Sequence, residues 1–101
     1  MLVVHAEFPI EPEQREEALD RAADLVEATR EEAGAIEYDA ATDLLEPNLL
    51  RFTEVYEDAE AFDAHVESDH FQAFEEELPR LLAGEPNVKQ YEVSDATELE
   101  V

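Results

Sequence analysis

Two of the chain's three histidines, His65 and His70, stand five residues apart in "AFDAHVESDHFQAF" (61–74), among Phe62, Phe71 and Phe74. Imidazole is the side chain whose ordinary pKa lies nearest neutrality, so such a pair can move a proton, hold a carboxylate or ligate a metal. Metal fits the pattern poorly. Two ligands at i and i+4, as His65 and Asp69 are, can share an ion on one unbroken helix. No His-Glu-x-x-His is present, and on a continuous helix His65 and His70 would point roughly 140° apart. No metal and no other cofactor is therefore expected. The plainer alternative makes His65 a half-buried, hydrogen-bonded histidine, His70 a first-turn residue near Ser68, and the phenylalanines core.

A second stretch, "LLRFTEVYE" (49–57), places Leu50, Phe52, Glu54 and Tyr56 on one face of a strand, so that a carboxylate stands among aromatics. If that face meets the His pair, Glu54, His65 and His70 converge in a pocket walled by Phe52, Tyr56, Phe71 and Phe74. A carboxylate beside an imidazole orients the ring and raises its pKa, and a mostly apolar pocket with a few polar groups is the usual form of a small-molecule site.

The elements that must position these groups are legible in the periodicity. Residues 2–8 alternate Val4, Ala6 and Phe8 against Val3, His5 and Glu7, which predicts a half-buried strand. Pro12 suits a helix start, and Ala18, Leu19, Ala22, Leu25, Val26 and Ala33 form a stripe at helical spacing stopped by Gly34, so a helix is predicted over 12–33. Strands follow at 35–42 and 49–57, joined closely enough to form an antiparallel hairpin. Asp58 is a good N-cap for a short helix, 59–67. Phe62 and Phe71 are nine residues apart and would face opposite ways on one helix. Ser68 therefore reads as a fresh N-cap that turns Phe71, Phe74, Leu78, Leu81 and Leu82 inward, in a segment that Pro79 should kink or restart before Gly84. A strand at 87–94 and a short strand-like tail, "ATELEV", complete the chain. The order is β-α-β-β-α-β, the ferredoxin-like split βαβ pattern, in one α+β domain over 1–101. A four-stranded antiparallel sheet with helices on one face leaves the other face bare. Val3, Ala35 and Val93 are expected to line it, and a two-fold homodimer would cover it.

The 101 residues carry 29 Asp and Glu against six Lys and Arg, a net charge of −23, with the acids spread through every segment. Such a surface repels itself in dilute buffer and is screened in molar salt, which points to the cytoplasm of a salt-accumulating organism. Nucleic acid and anionic membranes are excluded as partners by the lack of clustered cations. No cysteine means no disulfide and no thiol chemistry. The segment "MLVVHAEFPIEPEQ" lacks the basic and apolar regions of a signal peptide, and no run approaches a membrane span.

The stretch "GAIEYDAATDLLEPNLLRFTEVYEDAEAFDAHVESDHFQAF" resembles the antibiotic biosynthesis monooxygenase (ABM) family. The matching features are Gly34 with Tyr38, Glu54 with Tyr56, Ala64 with His65, then Ser68, His70, Phe71 and Phe74, and finally Val88 with Tyr91. The resemblance covers essentially the whole chain. It implies a ferredoxin-like fold paired into a dimeric α+β barrel, and adds Tyr38 to the residues expected to line a substrate site. Family members include cofactor-free monooxygenases of quinols and polyphenols, haem-degrading enzymes and an isomerase. The chain has Tyr56 and no Trp where members often carry Trp, and only Arg51 and Arg80 could meet haem carboxylates, which argues against the haem branch. The expected reaction is oxidation of a small quinol or polyphenolic aromatic by O2. His65 is the first choice of base and His70 the second, Glu54 orients the ring, and the aromatic residues exclude water. The alternative is a non-catalytic dimeric binding or stress-response module on the same fold.

Overall fold

A computed structural model describes residues 1–101. Strands β1 (Leu2–Pro9), β2 (Ala35–Thr42), β3 (Leu49–Tyr56) and β4 (Asn87–Glu92) form one antiparallel sheet in the order β2-β3-β1-β4. Helices α1 (Arg15–Thr29), α2 (Ala59–Glu67) and α3 (Asp69–Leu81) pack on one face of it. This is the expected ferredoxin-like α+β fold. Leu2, Val4 and Ala6 of β1 and Leu50, Phe52, Glu54 and Tyr56 of β3 are buried under the helices, in the alternation the sequence shows. Phe52 is the hub, with Phe8, Tyr38 and Phe74 rings at centroid distances of 5.6, 5.6 and 5.7 Å.

The break between α2 and α3 falls where the phase of the phenylalanines requires it. Asp58 caps α2 by accepting from Ala61 N at 2.8 Å, and the Ser68 hydroxyl caps α3 by accepting from Phe71 N at 3.2 Å. Ser68 itself has φ −68° and ψ 152°, an extended residue between two helices. Gly34 explains why the preceding turn has no side chain. A Cβ there would lie 2.4 Å from the Ala61 methyl of α2, far inside van der Waals contact.

Several expected boundaries move. Residues 12–14 form a separate 3-10 turn before α1, and α1 stops at Thr29 instead of 33. Beyond it the backbone tightens, Glu31 N and Glu32 N donating to Ala28 and Thr29 oxygens three residues back. Helix α3 runs on through Pro79 to Leu81, two residues beyond the proline, although Pro79 supplies no backbone donor there. Strand β4 ends at Glu92, and the tail from 95 onward is exposed and forms no strand. Ala35 packs against the core, contrary to its expected place on the open face, because a β-bulge between Ala35 and Glu37 shifts the register and turns Ile36 outward. On that open face Val3 sits between Val55 and Tyr91 of the neighbouring strands, and Tyr91 is largely uncovered.

The cations are all employed as clasps but one. Arg21 and Arg80 bind Glu17 and Glu77 between α1 and α3, Arg30 binds Asp39, and Arg51 joins Glu7 to Asp43. Arg15 donates to the Pro47 carbonyl, and only Lys89 has no such partner. Two arginines on Glu17 hold its carboxyl down at about 2. No helix is long and apolar enough to cross a membrane.

Candidate functional site

The cap at Ser68 does more than rotate the phenylalanines. It brings His65, in the last turn of α2, and His70, in the first turn of α3, to a ring separation of 6.0 Å. Both rings donate to the same atom. His65 Nδ1 lies 2.9 Å from Glu32 Oε2, and His70 Nε2 makes a short hydrogen bond to that oxygen too. A carboxylate can only accept, so His65 carries its proton on Nδ1 and His70 on Nε2. On one continuous helix the two histidines would point roughly 140° apart, and the break at Ser68 is what unites them.

Glu54 was expected to be the acid facing these rings, and it is not. Its carboxylate is buried, 6 % exposed, and takes a hydrogen bond of 2.6 Å from the Tyr56 hydroxyl; no hydrogen bond joins it to either imidazole. The acid that orients both histidines is Glu32, in the tightened turn after α1. One signal pointed to it. Glu31 and Glu32 lie at the C-terminal end of a helix, where the dipole disfavours acids, so an acid there invites a second reason.

The expected chamber between β3 and the broken helix is filled with side chains. His65 is 1 % exposed, and Tyr38, Tyr56 and Phe71 rings pack on it at 5.1, 5.5 and 5.1 Å. Tyr38, Phe52, Tyr56 and Phe74 are buried and Phe71 is half-buried. Open space lies outside this cluster. His70 and Phe74 line a cavity of about 150 Å³ with Arg21, Asp24, Leu25 and Ala73, in the cleft between α1 and α3. A larger apolar groove of about 360 Å³ runs between α1 and β2, over Leu19, Ala22, Val26, Ala40 and Leu50. The largest, about 490 Å³, is lined by Glu57, Asp58 and Glu92 beside Met1, away from the histidines.

Electrostatics separate the titratable groups. Burial pushes the Glu54 carboxyl up to about 7, the Tyr56 hydrogen bond opposing this and the Glu32 charge adding to it. Burial also raises the Tyr38 and Tyr56 hydroxyls well above the phenol range, with the Glu54 charge adding to both. For His65, burial outweighs the hydrogen bond to Glu32 and lowers its pKa; the carboxylate was expected to raise it, and desolvation wins. Its Nε2 and the Thr29 hydroxyl are the two buried side-chain polar atoms without a hydrogen-bond partner.

Residues 1–77 match the model of the family described as antibiotic biosynthesis monooxygenase. The chain belongs to that ABM family. A Bacillus subtilis protein, "Putative monooxygenase YcnE", is 35 % identical over 95 residues, spanning 94 % of this chain and all of that one. A crystal structure of an antibiotic biosynthesis monooxygenase superposes with a TM-score of 0.88 at 28 % identity, over 94 % of this chain and 100 % of that one. A Deinococcus radiodurans crystal structure has the same fold over both full lengths, with a TM-score of 0.92 at 21 % identity. As an ABM domain this chain has a monooxygenase-type function, and the histidine–carboxylate cluster is its candidate site.

Proposed function

We propose that this ABM domain oxidises a small electron-rich phenol, a quinol being the simplest case, with O2 and no bound cofactor. The observation that carries this reading is the pair of imidazoles on one Glu32 oxygen, with His70 reaching the cavity that Phe74 also lines. A phenol with a pKa of about 10 is protonated at neutrality, and its phenolate reduces O2 far more readily. With Nε2 tied to Glu32, His70 presents Nδ1 as a free lone pair to accept the phenolic proton. Glu32 then stabilises the imidazolium, and His65 fixes Glu32 from the buried side. The quinol's two hydroxyls become carbonyls and one oxygen atom enters the ring as a new hydroxyl, while the other leaves as water with two of the substrate's hydrogens, so no outside reductant is required. Contact with the substrate falls to His70 in this scheme, His65 being sealed. Glu54 with Tyr56 supplies a second group able to hold a proton near pH 7. The aromatic wall of Tyr38, Phe52, Tyr56 and Phe71 supports the cluster, and Phe74 contributes to the apolar wall of the cavity beside His70. A cavity of about 150 Å³ suits a single ring better than a polycyclic substrate.

Oxygen uptake tests this directly. Wild type in molar KCl is expected to consume O2 with a small quinol, and His70→Ala to lose about 100-fold in kcat. Equal rates for the two proteins would remove His70 from the chemistry. No uptake by wild type across a panel of quinols would favour a binding module on the same fold.

The same reading includes a homodimer through the open sheet face, where Val3, Val55 and Tyr91 adjoin, in the cytoplasm of an organism that accumulates salt. At a net charge of −23 two copies repel across any interface until salt screens them. Sedimentation is expected to give a dimer in ~2 M KCl and a smaller species in dilute buffer; a monomer at high salt would overturn the assignment.

A further inference from the structure

We infer that Glu32, His65 and His70 form a binding site for one first-row divalent transition ion. The three ligand atoms, Glu32 Oε2, His65 Nδ1 and His70 Nε2, all lie within 4.8 Å of one another. Bonds of 2.0–2.1 Å in a tetrahedral arrangement would put such atoms roughly 3.3 Å apart. The Glu32–His65 separation of 2.9 Å needs only a small opening to reach that. The ligands come from three elements held by independent means: the tightened turn after α1, the last turn of α2, and the first turn of α3 behind the Ser68 cap. The donor set is therefore organised before any ion arrives.

Its chemistry selects the ion class. Two imidazoles and one carboxylate without thiolate suit Zn²⁺, Co²⁺, Ni²⁺ or Fe²⁺ over Ca²⁺ or Mg²⁺, and the two-histidine, one-carboxylate set leaves further positions open. The Glu32 and His70 side chains are only partly buried, 18 % and 28 % exposed, which gives the ion a way in from solvent.

Binding requires each ring to surrender the proton it now donates to Glu32. That of His70 moves to Nδ1, on the partly exposed side of its ring. That of His65 moves to Nε2, which is buried and has no acceptor. Ligating histidines ordinarily donate their other N–H, and lacking that partner weakens binding about 10- to 100-fold. The affinity is accordingly micromolar. This site stands apart from the oxygenase proposal, which involves no ion.

Co²⁺ is the probe, added to the whole chelator-treated chain in molar KCl with millimolar Mg²⁺ to occupy the surface carboxylates. One Co²⁺ per chain is expected at micromolar concentration, with visible absorption from a nitrogen–oxygen site. Glu32→Gln and His70→Ala should each weaken it about 30-fold, while His5→Ala, on the open sheet face, leaves it unchanged. Thermal melts in the same buffer confirm that each variant is folded, and the isosteric Glu32→Gln carries the test if His70→Ala is not. Uptake that is equally strong in Glu32→Gln and wild type, or that needs millimolar Co²⁺, would overturn the site. Quinol oxidation by the chelated protein is read separately, so either conclusion can fail alone.

Discussion

Glu54→Gln is expected to stabilise the protein by about 2 kcal/mol at pH 8 and to change little at pH 5. Folding moves the Glu54 carboxyl from its ordinary 4.5 to about 7, chiefly through burial. The folded chain therefore holds this proton over a range in which the unfolded chain has released it. The contribution is fully present below about pH 4.5 and is lost as pH rises through about 7, amounting to about 3 kcal/mol. Glutamine removes that slope and keeps an oxygen for the Tyr56 hydroxyl, while its amide hydrogens lack a good acceptor and return part of the gain. For a chain of this size 2 kcal/mol is worth roughly 10 °C in Tm. Denaturant melts of both proteins at pH 5 and pH 8 in molar KCl measure it, and parallel stability–pH curves would show that Glu54 is not held up as described. A buried acid that weakens the fold at neutral pH is the kind of group retained for proton traffic.

Glu32→Ala is expected to have the largest effect on catalysis. It removes the acceptor of both imidazole N–H groups at once, freeing His70 to rotate and leaving the sealed His65 with an unpaired donor. We expect kcat for quinol oxidation to fall about 10²- to 10³-fold and stability to fall by about 2 kcal/mol. Glu32→Gln separates position from charge, because its amide oxygen can still accept while the negative charge is gone. That variant should keep KM, lose about tenfold in kcat, and shift the rising limb of the pH profile to lower pH, since an imidazolium is no longer favoured. An unshifted profile with an unchanged rate would reduce Glu32 to a structural tie.

Why the fold was so legible and the site less so follows from what each depends on. Phe62 and Phe71 demanded a break in the helix, and Ser68, lying between them, could cap a new start. Alternation along 49–56 identified the buried face of β3, Glu54 included. These are local signals, repeated along each element. The partner of the histidines was not local. Glu32 reaches them across 33 and 38 residues of chain, from a turn whose tightening no periodicity announces. The sequence favoured Glu54 because it was the acid in apolar company, yet that company fills the space and pairs it with Tyr56. Burial likewise decided His65, where the neighbouring carboxylate pulls one way and desolvation pulls harder the other.

The guanidinium clasps have a consequence for what can enter. With every arginine engaged and the surface densely negative, no unengaged fork waits for a carboxylate, phosphate or sulfate guest. In dilute buffer a phenolate drifting in from solution would also be turned away by the unscreened field. In the proposed reaction the phenol therefore arrives uncharged and becomes an anion only after docking, which makes an internal sink for its hydrogen ion a necessity of access as much as of rate.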